Sequence, residues 1–338
     1  MREPSFWWRE GGLAAALLAP VAAVYGAVAG ARLRQRGWRA GLPVVCVGNF
    51  TVGGAGKTPT ALAVAQLLAR AGERPFFLSR GYGGALAGPV LVDPARHRAD
   101  EVGDEPLLLA RIAPTIVSRG RPAGARLAAQ SGAGIVVMDD GFQNPSLAKD
   151  FSILVVDGQR GIGNSRVLPA GPLRAPLDAQ LARSHAVVVV GTAEGAAEVA
   201  AAARARDIPV FAARLVPDSG FIAALGGGRV LAFAGIGDPR KFFWTLTGLG
   251  VAVAAARGFP DHHRYTAAEA KALCDDADRD GLVLVTTEKD LVRIGGDEAL
   301  AELAAHAHAL PVRLAFEDEA GFAQLLSSRI AAARVDRK

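Results

Sequence analysis

One glycine-rich segment restricts the folds open to this chain more than any other feature. It lies between an apolar run at 43–47 and a helical pattern at 59–70, and it reads Thr51-Val52-Gly53-Gly54-Ala55-Gly56-Lys57-Thr58. A strand, a glycine-rich turn ending in Gly-Lys-Thr and a helix form the context of a phosphate-binding loop, or P-loop. The glycines let backbone N–H groups turn toward phosphate oxygens, and the helix N-terminus adds a favourable dipole. The segment therefore predicts a nucleotide site, where Lys57 reaches the β- and γ-phosphates and Thr58 offers its hydroxyl to Mg²⁺.

The first position of this loop departs from the general pattern. The pattern G-x-x-x-x-G-K-[ST] begins with glycine, whereas this chain has Thr51. The alternative interpretation is a glycine-rich turn without a ligand. We favour the phosphate loop, because Gly-Lys-Thr between a strand and a helix rarely occurs without a nucleotide to bind.

Carboxylates that could hold the metal follow a second apolar run. Asp139 and Asp140 end the run at 135–138, where the carboxyl end of a parallel strand would face the nucleotide. The sequence predicts them as Mg²⁺ ligands, the alternative being a turn before Gly141. Asp157 also ends an apolar run, but Asp157-Gly158 favours a turn.

Two other polar segments are ambiguous on their own. Asp104, in Gly103-Asp104-Glu105-Pro106, has the pattern of a helix N-cap with an acid in the first turn. Asp261-His262-His263 is the densest histidine cluster, and it could equally be a surface turn. The two cysteines, Cys46 and Cys274, form no CxxC pair, so neither a zinc site nor a disulfide framework is predicted.

The order of strands and helices predicts a P-loop NTPase-like α/β fold. Short apolar runs at 75–78, 135–138, 153–156 and 187–190 alternate with helical segments, as in a doubly wound, mainly parallel sheet. After a glycine-rich break near 220–228 a second α/β pattern begins, with helix starts at Asp238-Pro239 and at the capping box of Thr266 and Glu269. We therefore expect an N-terminal segment at 1–40, a P-loop domain at 41–225 and a smaller α/β domain at 226–338. With 51% hydrophobic residues, the chain is not a disordered protein.

The N-terminal segment is uncharged from Gly11 to Ala31, which is long enough to cross a bilayer. Trp7 and Trp8 precede it, where interfacial aromatics often lie, and Arg32 to Arg39 form a basic flank. We favour a helix lying in the membrane interface; a spanning helix and an ordinary core helix are the alternatives. A signal peptide is disfavoured, because Glu3 and Glu10 offset Arg2 and Arg9. The net charge of +5 suits an anionic membrane or a phosphorylated substrate and does not require nucleic acid, so no nucleic-acid partner is predicted.

Taken in order, the motifs resemble those of one family. They are Thr51 to Pro59, Ser79-Arg80-Gly81-Tyr82-Gly83, Gly103-Asp104-Glu105-Pro106, Asp139-Asp140-Gly141-Phe142-Gln143, Leu168-Pro169-Ala170-Gly171-Pro172-Leu173-Arg174, Phe259-Pro260-Asp261-His262 and Thr287-Glu288-Lys289-Asp290. This series resembles the tetraacyldisaccharide 4'-kinases, the lipid A 4'-kinases of Gram-negative bacteria, over nearly the whole chain. Threonine at the first loop position is common in that family.

The resemblance implies a reaction and a location. It implies transfer of the γ-phosphate of ATP, with Mg²⁺, to the 4'-hydroxyl of a tetraacylated glucosamine disaccharide 1-phosphate. It also implies a monotopic protein on the cytoplasmic face of the bacterial inner membrane. By resemblance, Asp104 is the base for the sugar hydroxyl and His262 its partner, while Lys57 acts at the phosphates. Arg80 and Arg119 are candidate phosphate contacts.

Two positions depart from the family. The family usually has Glu after the arginine of its Leu-Arg-Glu-Pro segment, whereas Ala175 follows Arg174 here. If that Glu helps to hold the metal, this chain must do without it. Asn144 stands where His is common, and it retains hydrogen-bonding capacity.

Two other function classes are alternatives to a kinase. The first is a P-loop switch, which would be a GTPase, an ATPase or a metal-insertion chaperone. A switch that used GTP would need an Asn-Lys-x-Asp segment to recognise the guanine base. The nearest string, Glu288-Lys289-Asp290, lacks the Asn and the spacing. A non-catalytic ATP-binding membrane scaffold would have no need of a base such as Asp104.

Overall fold

The computed structural model describes residues 3–9 and 11–337. Arg2 and Glu10, which entered the argument about the N-terminal segment, lie outside the described residues. The strands are, in chain order, β1 (Val44–Asn49), β2 (Pro75–Ser79), β3 (Val90–Leu91), β4 (Thr115–Val117), β5 (Ile135–Asp139), β6 (Phe151–Asp157), β7 (Ala186–Val190), β8 (Val210–Pro217), β9 (Val230–Ala234), β10 (Val253–Gly258), β11 (Val283–Thr287), β12 (His308–Leu310) and β13 (Val312–Phe316). The α-helices are α1 (Leu13–Arg34), α2 (Lys57–Arg70), α3 (Ala99–Val102), α4 (Asp104–Ala110), α5 (Arg121–Gln130), α6 (Leu177–Leu181), α7 (Ala197–Arg204), α8 (Ser219–Ala224), α9 (Pro239–Gly248), α10 (Ala267–Asp280), α11 (Glu288–Ile294), α12 (Ala301–His306) and α13 (Glu319–Val335).

The larger sheet has nine strands in the order β13-β8-β7-β6-β1-β5-β2-β4-β3 within the described residues. Its pairs are parallel except at the two edges, where β3 and β13 run antiparallel to their neighbours. The central strand β1 lies between β5 and β6, and the chain order reverses there. Such a switch point leaves a crevice at the carboxyl ends of the strands. The predicted doubly wound, mainly parallel α/β fold is confirmed.

Both faces of the larger sheet are covered, which explains why its strands are continuous apolar runs. Alternate residues of β1 point to opposite faces. Cys46 packs with Met138 on one face, and Val45 and Val47 pack on the other with Val64 of α2. Burial on both faces fixes β1 firmly, so the loop that follows it starts from a rigid position.

A second sheet, in the order β10-β9-β11-β12, is parallel throughout and has an apolar cluster on each face. The predicted capping box at the start of α10 is confirmed, because Thr266 and Glu269 cap each other's backbone N–H groups. Asp238 also caps α9 as predicted, accepting the backbone N–H of Arg240.

The end of the chain returns to the larger sheet, which differs from the assignment of all of 226–338 to the smaller domain. Strand β13 pairs with β8, and Phe316 of β13 packs with Phe322 and Leu326 of α13 in a core cluster of the larger sheet. The smaller sheet ends at β12. The proposed boundaries near residues 40 and 225 stay predictions.

Helix α1 packs on the protein through small residues and exposes large ones. Ala22, Gly26 and Gly30 are buried, whereas the exposed large side chains are Leu13, Leu17, Val21, Val24, Tyr25 and Val28. Among the described residues, α1 is the one helix long and apolar enough to cross a membrane, and 22% of its most apolar window is buried. This exposure does not fit an ordinary core helix.

The two tryptophans before α1 contact the protein. Trp7 is 9% exposed and its indole N–H donates to the carbonyl of Pro169 at 3.0 Å. Trp8 donates to the Glu3 carboxylate at 3.2 Å. The interpretation of Trp7 as an interfacial aromatic is therefore wrong, because its ring is buried against the loop that carries Pro169.

Candidate active site at the carboxyl ends of the strands

The phosphate loop connects β1 to α2 as predicted. Gly53 and Gly56 have φ angles of 98° and 89°, a left-handed backbone that favours glycine. Thr51 is not among the positive-φ residues, so a side chain is tolerated at the first loop position. The Lys57 ammonium donates to the carbonyl of Gly53 at 3.3 Å, which folds the lysine back over the loop. Every predicted loop residue, Thr51 through Thr58, lies in this one turn.

Asp139 ends β5, the strand beside β1, and so lies next to the phosphate loop. The Thr58 hydroxyl donates to Asp139 Oδ2 at 3.2 Å. Asp139 Oδ1 is buried without a hydrogen-bond partner in the described part of the chain. Burial, together with the negative charges of Glu105 and Asp140, raises the pKa of Asp139 to about 7. A buried oxygen with no partner, beside a hydroxyl and a second carboxylate, indicates a site that a ligand completes.

Asp140 is held from two sides. Its backbone has a φ of 49°, and its carboxylate accepts both terminal nitrogens of Arg174, at 2.8 and 3.3 Å. The Lys57 ammonium lies 3.9 Å away. Burial opposes ionisation, but Lys57 and Arg174 outweigh it and hold the pKa of Asp140 below its ordinary value. Arg174 also donates to the carbonyl of Thr51 at 2.9 Å and so ties the carboxylate to the loop.

The oxygen donors fit Mg²⁺. Thr58, Asp139 and Asp140 supply a hydroxyl and two carboxylates, and Mg²⁺ is typically bound by one or two carboxylates plus substrate phosphates. No group of three or more His, Cys, Asp or Glu side chains in the described ranges could hold a metal. The ion would therefore rest partly on the nucleotide. Asp157 is not part of this set: it accepts two backbone N–H groups of its own turn, as predicted.

Asp104 and His262 come together from the two sheets. Asp104 begins α4, is buried, and its Oδ2 lies 3.2 Å from His262 Nδ1. His262 has a φ of 55° and is fixed by its backbone N–H, which donates to the carbonyl of Gly235 at 3.1 Å. The hydrogen bond with Asp104 raises the pKa of His262. Burial works against the Asp104 carboxylate, but His262 and Arg293 hold its pKa well below the usual range. A non-glycine residue with positive φ at such a place is typical of a functional site.

The sequence motifs predict no role for several polar residues of the site. Arg293 donates to Asp104, and Lys289 pairs with Glu105 at 2.7 Å. Arg121 is buried, and its Nε has no partner in the part of the chain that the structure describes. Lys289 and Arg293 are four residues apart on α11, so one face of that helix presents two cations. That spacing is a sequence signal from which a functional role of Lys289 and Arg293 could be predicted. No sequence signal indicates that Arg121 is buried at the site.

A cavity of about 400 Å³ links the carboxylates Glu105, Asp139 and Asp140 to the N-terminal helix. Its lining comprises Tyr25, Val28, Ala29 and Arg32 of α1, together with Ser79, Arg80, Tyr82, Glu105, Arg121, Asp139, Asp140, Gln143, Asn144 and Arg174. Arg80 therefore lies at the cavity, whereas Arg119 donates to the carbonyls of Gly84 and Ala85. Ala175 is fully buried beside Arg174.

The fold and the site define a P-loop protein with groups suited to phosphoryl transfer, because a buried carboxylate contacts the phosphate loop and a carboxylate–imidazole pair joins the two sheets. The sequence profile of LpxK, described as tetraacyldisaccharide-1-P 4'-kinase, matches residues 14–331. The chain therefore belongs to the LpxK family, and it is a kinase.

Individual relatives agree with this assignment over their full length. The tetraacyldisaccharide 4'-kinase of Nitrobacter winogradskyi is 55% identical over 334 residues, covering 99% of both chains. That of Nitrobacter hamburgensis is 56% identical over 334 residues, covering 99% of this chain and all of the other. A crystal structure described as the "apo" form of LpxK from Aquifex aeolicus in complex with ATP superposes with a TM-score of 0.72 at 27% identity, covering 94% of this chain and 99% of that one.

Proposed function

We propose that this kinase transfers the γ-phosphate of ATP to the 4'-hydroxyl of a tetraacylated glucosamine disaccharide 1-phosphate in lipid A biosynthesis. We also propose that it works at the cytoplasmic face of the inner membrane. The observation that carries the proposal is the cavity shared by α1 and the active-site carboxylates. A substrate with a polar headgroup and acyl chains needs such a junction between a phosphoryl-transfer site and a membrane-facing helix.

The phosphate loop is the proposed ATP site. The Aquifex aeolicus relative is described as a complex with ATP, and here the backbone of Thr51 to Thr58 forms the turn between β1 and α2 that a phosphate loop requires. Lys57 would contact the β- and γ-phosphates, and Thr58, Asp139 and Asp140 would hold Mg²⁺. The ion supplies positive charge at the phosphates, and Lys57 adds to it from the protein side.

The cavity is the proposed place of the acceptor headgroup. Arg80, Arg121 and Arg174 give it cationic walls, and Tyr25 and Val28 give it an apolar wall on the α1 side. This division matches a phosphorylated sugar whose acyl chains leave along α1. Asp104, next to the cavity-lining Glu105, would take the proton of the attacking hydroxyl, and His262 would hold the carboxylate in place.

Helix α1 is the proposed membrane contact. Its exposed face carries large apolar side chains, and Arg32, Arg34, Arg36 and Arg39 follow as a basic flank suited to anionic lipid. Its small residues pack on Val167 and Pro176, so one side of the helix belongs to the protein. We propose that a helix held against the protein in this way dips into one leaflet, as in a monotopic protein. Resistance of the intact protein to alkaline carbonate extraction would favour a spanning helix instead.

A nucleotide switch is disfavoured by the contacts of α11. Lys289 pairs with Glu105, and Asp290 is buried under Tyr265 and Arg293. Neither side chain is available to read a guanine base.

The test is the consumption of labelled ATP with and without a panel of glycolipids. We expect phosphate transfer only to a tetraacylated disaccharide 1-phosphate, with little ATP loss in its absence. ATP hydrolysis that is independent of lipid would support the switch, and binding without turnover would support the scaffold.

A further inference from the structure

Arg293 makes the two oxygens of Asp104 unequal. Asp104 Oδ2 accepts Arg293 Nε at 2.7 Å and Arg293 Nη2, and it also pairs with His262 Nδ1. Asp104 Oδ1 accepts the backbone N–H of Glu105 at 2.9 Å, and it has no side-chain donor among the described residues. Oδ2 is therefore saturated with donors, whereas Oδ1 keeps a lone pair for one more proton.

Arg293 is itself rigidly held. Its Nη1 donates to Asp290 Oδ1 at 2.8 Å and to the carbonyl of Gly235. Asp290 is fully buried and accepts the Tyr265 hydroxyl at 3.0 Å and the Thr287 hydroxyl at 2.6 Å. A buried guanidinium with every branch bonded has one orientation, so it fixes whatever it contacts.

We propose that Arg293 is a positioning residue of the phosphoryl transfer, and that it holds Asp104 so that Oδ1 receives the proton of the acceptor hydroxyl. This inference rests on the proposed function. In the step, the acceptor oxygen forms a bond to the γ-phosphorus and the bond to the β–γ bridging oxygen breaks. ADP leaves with that electron pair, and the hydroxyl proton goes to Asp104 Oδ1. In a loose transition state the proton leaves late, so the orientation of the carboxylate matters more than its basicity.

The charges around Asp104 predict how the pH profile responds. From α11, Arg293 and Lys289 face Asp104, and Asp290 lies behind Arg293. From the loop after β10, His262 and Asp261 face the same carboxylate. Glu105 follows Asp104 on α4. The net effect keeps the pKa of Asp104 well below its usual range, so the carboxylate is ionised throughout the working range. Loss of the Arg293 charge raises that pKa. Activity needs the ionised carboxylate, so kcat falls where Asp104 becomes protonated. This fall on the acid side of the pH profile, its acid limb, then moves to higher pH.

The experiment compares Arg293→Gln and Arg293→Lys with the wild-type chain, with kcat and both KM values measured from about pH 5 to about pH 9. For Arg293→Gln we expect kcat to fall about 10- to 100-fold, an unchanged KM for ATP and an acid limb at higher pH. Arg293→Lys keeps the positive charge but loses the two guanidinium N–H groups that hold Asp104. Its acid limb should therefore stay near that of the wild type, while its kcat should still fall. Arg337→Gln is the matched control, because Arg337 is also a largely buried arginine, paired with Asp150 at 2.7 Å, and it does not touch Asp104.

A second comparison separates positioning from a structural role. In an Asp104→Ala background, adding Arg293→Gln should cost no more than about twofold in kcat, because the two residues act as a unit. An equal loss in both backgrounds, or wild-type kcat and pH profile in Arg293→Gln, would overturn the inference. If Arg293→Gln does not fold, Arg293→Lys decides: wild-type kcat there would also overturn it. No transfer by the wild-type chain would instead refute the proposed function.

Discussion

Asp139 and Lys57 have fewer partners than their burial demands. Asp139 Oδ1 has none in the described residues, and the Lys57 ammonium has one carbonyl at 3.3 Å and one carboxylate at 3.9 Å. Native proteins leave such groups incompletely bonded chiefly where a ligand completes them. Lys57 belongs to the phosphate loop and Asp139 contacts it, so the proposed nucleotide phosphate with its metal ion would satisfy a cation and a carboxylate together.

Lys57→Ala should therefore remove most activity and leave the fold intact, because Lys57 contacts the loop rather than the apolar core. We expect kcat to fall by about two to four orders of magnitude, the loss of a group that stabilises transition-state charge. Lys271→Ala, an exposed lysine paired with Asp275, is the matched control. Near-normal turnover by a folded Lys57→Ala variant would refute the assignment of the loop.

Asp104 and His262 should behave as a unit in kinetics. If Asp104 takes the proton and His262 supports it, Asp104→Ala should lower kcat by about 100-fold or more, and by more than His262→Ala. The double variant should be little worse than Asp104→Ala, since residues that act together are not additive. The KM for ATP should change little in all three. Multiplicative losses would mean that the two residues act independently.

The same pair predicts a dependence of stability on pH. The folded-state pKa of His262 is raised, so its contribution is complete below an unfolded value of about 6.5 and is lost as pH rises through the folded value. His262→Gln should therefore lower Tm more at about pH 6 than at about pH 9. His306→Gln, on an exposed helix end, is the control. An equal Tm difference at both pH values would contradict the ion pair.

At the residue scale, motifs allowed more to be predicted than burial did. The loop, Asp139 and Asp140 stand in a pattern whose chemistry is readable, and the structure places them together. Asp104 and His262 were linked by family resemblance alone, and they do lie in contact. The third member, Arg293, was missed because its partner is far away in sequence; only its spacing from Lys289 hinted at a shared face.

Among the strands, those buried on both faces of the larger sheet could be predicted from the sequence, whereas the edge strand β13 could not. Strands β1, β5 and β6 are apolar along their length because helices cover both sides of the sheet. Strand β13 has a mixed burial pattern and pairs antiparallel with β8. No feature of the local sequence distinguishes β13 from a strand of the smaller sheet. The return of the chain to the larger sheet therefore depends on the tertiary packing of Phe316 and α13.

Helix α1 gives the prediction at this scale. Leu17→Glu, Val21→Glu and Val24→Glu together change only its exposed face. Each apolar side chain that no longer enters the lipid makes the free energy of membrane binding less favourable by about 1 kcal/mol or more. The triple variant should therefore bind anionic vesicles at least about 100-fold more weakly. The KM for glycolipid should rise more than the KM for ATP. Val335→Glu, equally exposed on α13, should change neither. Undiminished vesicle binding would place the membrane contact elsewhere.

At the scale of the molecule, ion pairs join the two sheets around the site. Asp104–Arg293, Glu105–Lys289 and Arg98–Asp297 connect α11 and its neighbourhood to the segment around α4. Arg160 and Lys241 make further pairs, with Asp238 and Asp157. Because the proposed mechanism uses groups from both sheets, we expect the pairs of Asp104 and Glu105 to affect the geometry of the reaction as well as stability.

The Glu105–Lys289 pair tests this coupling. Its nitrogen and oxygen lie 2.7 Å apart and both side chains are largely buried. Burial opposes the charge on Lys289, but Glu105 and Asp104 outweigh it and raise the pKa of that ammonium. Removal of one partner leaves the other charge buried without compensation, which is the costly way to break such a pair.

Lys289→Gln and Glu105→Gln should therefore each lower the free energy of unfolding, and the double variant should lose less than the sum. We expect a coupling energy of about 1 kcal/mol or more from urea denaturation. The matched control is the pair Lys271–Asp275, which has a similar distance of 2.9 Å but lies exposed on α10. Its coupling should stay below about 0.5 kcal/mol, because solvent screens it. If the two pairs couple equally, the contact across the sheets behaves as an ordinary surface ion pair and does not hold the two halves of the active site together.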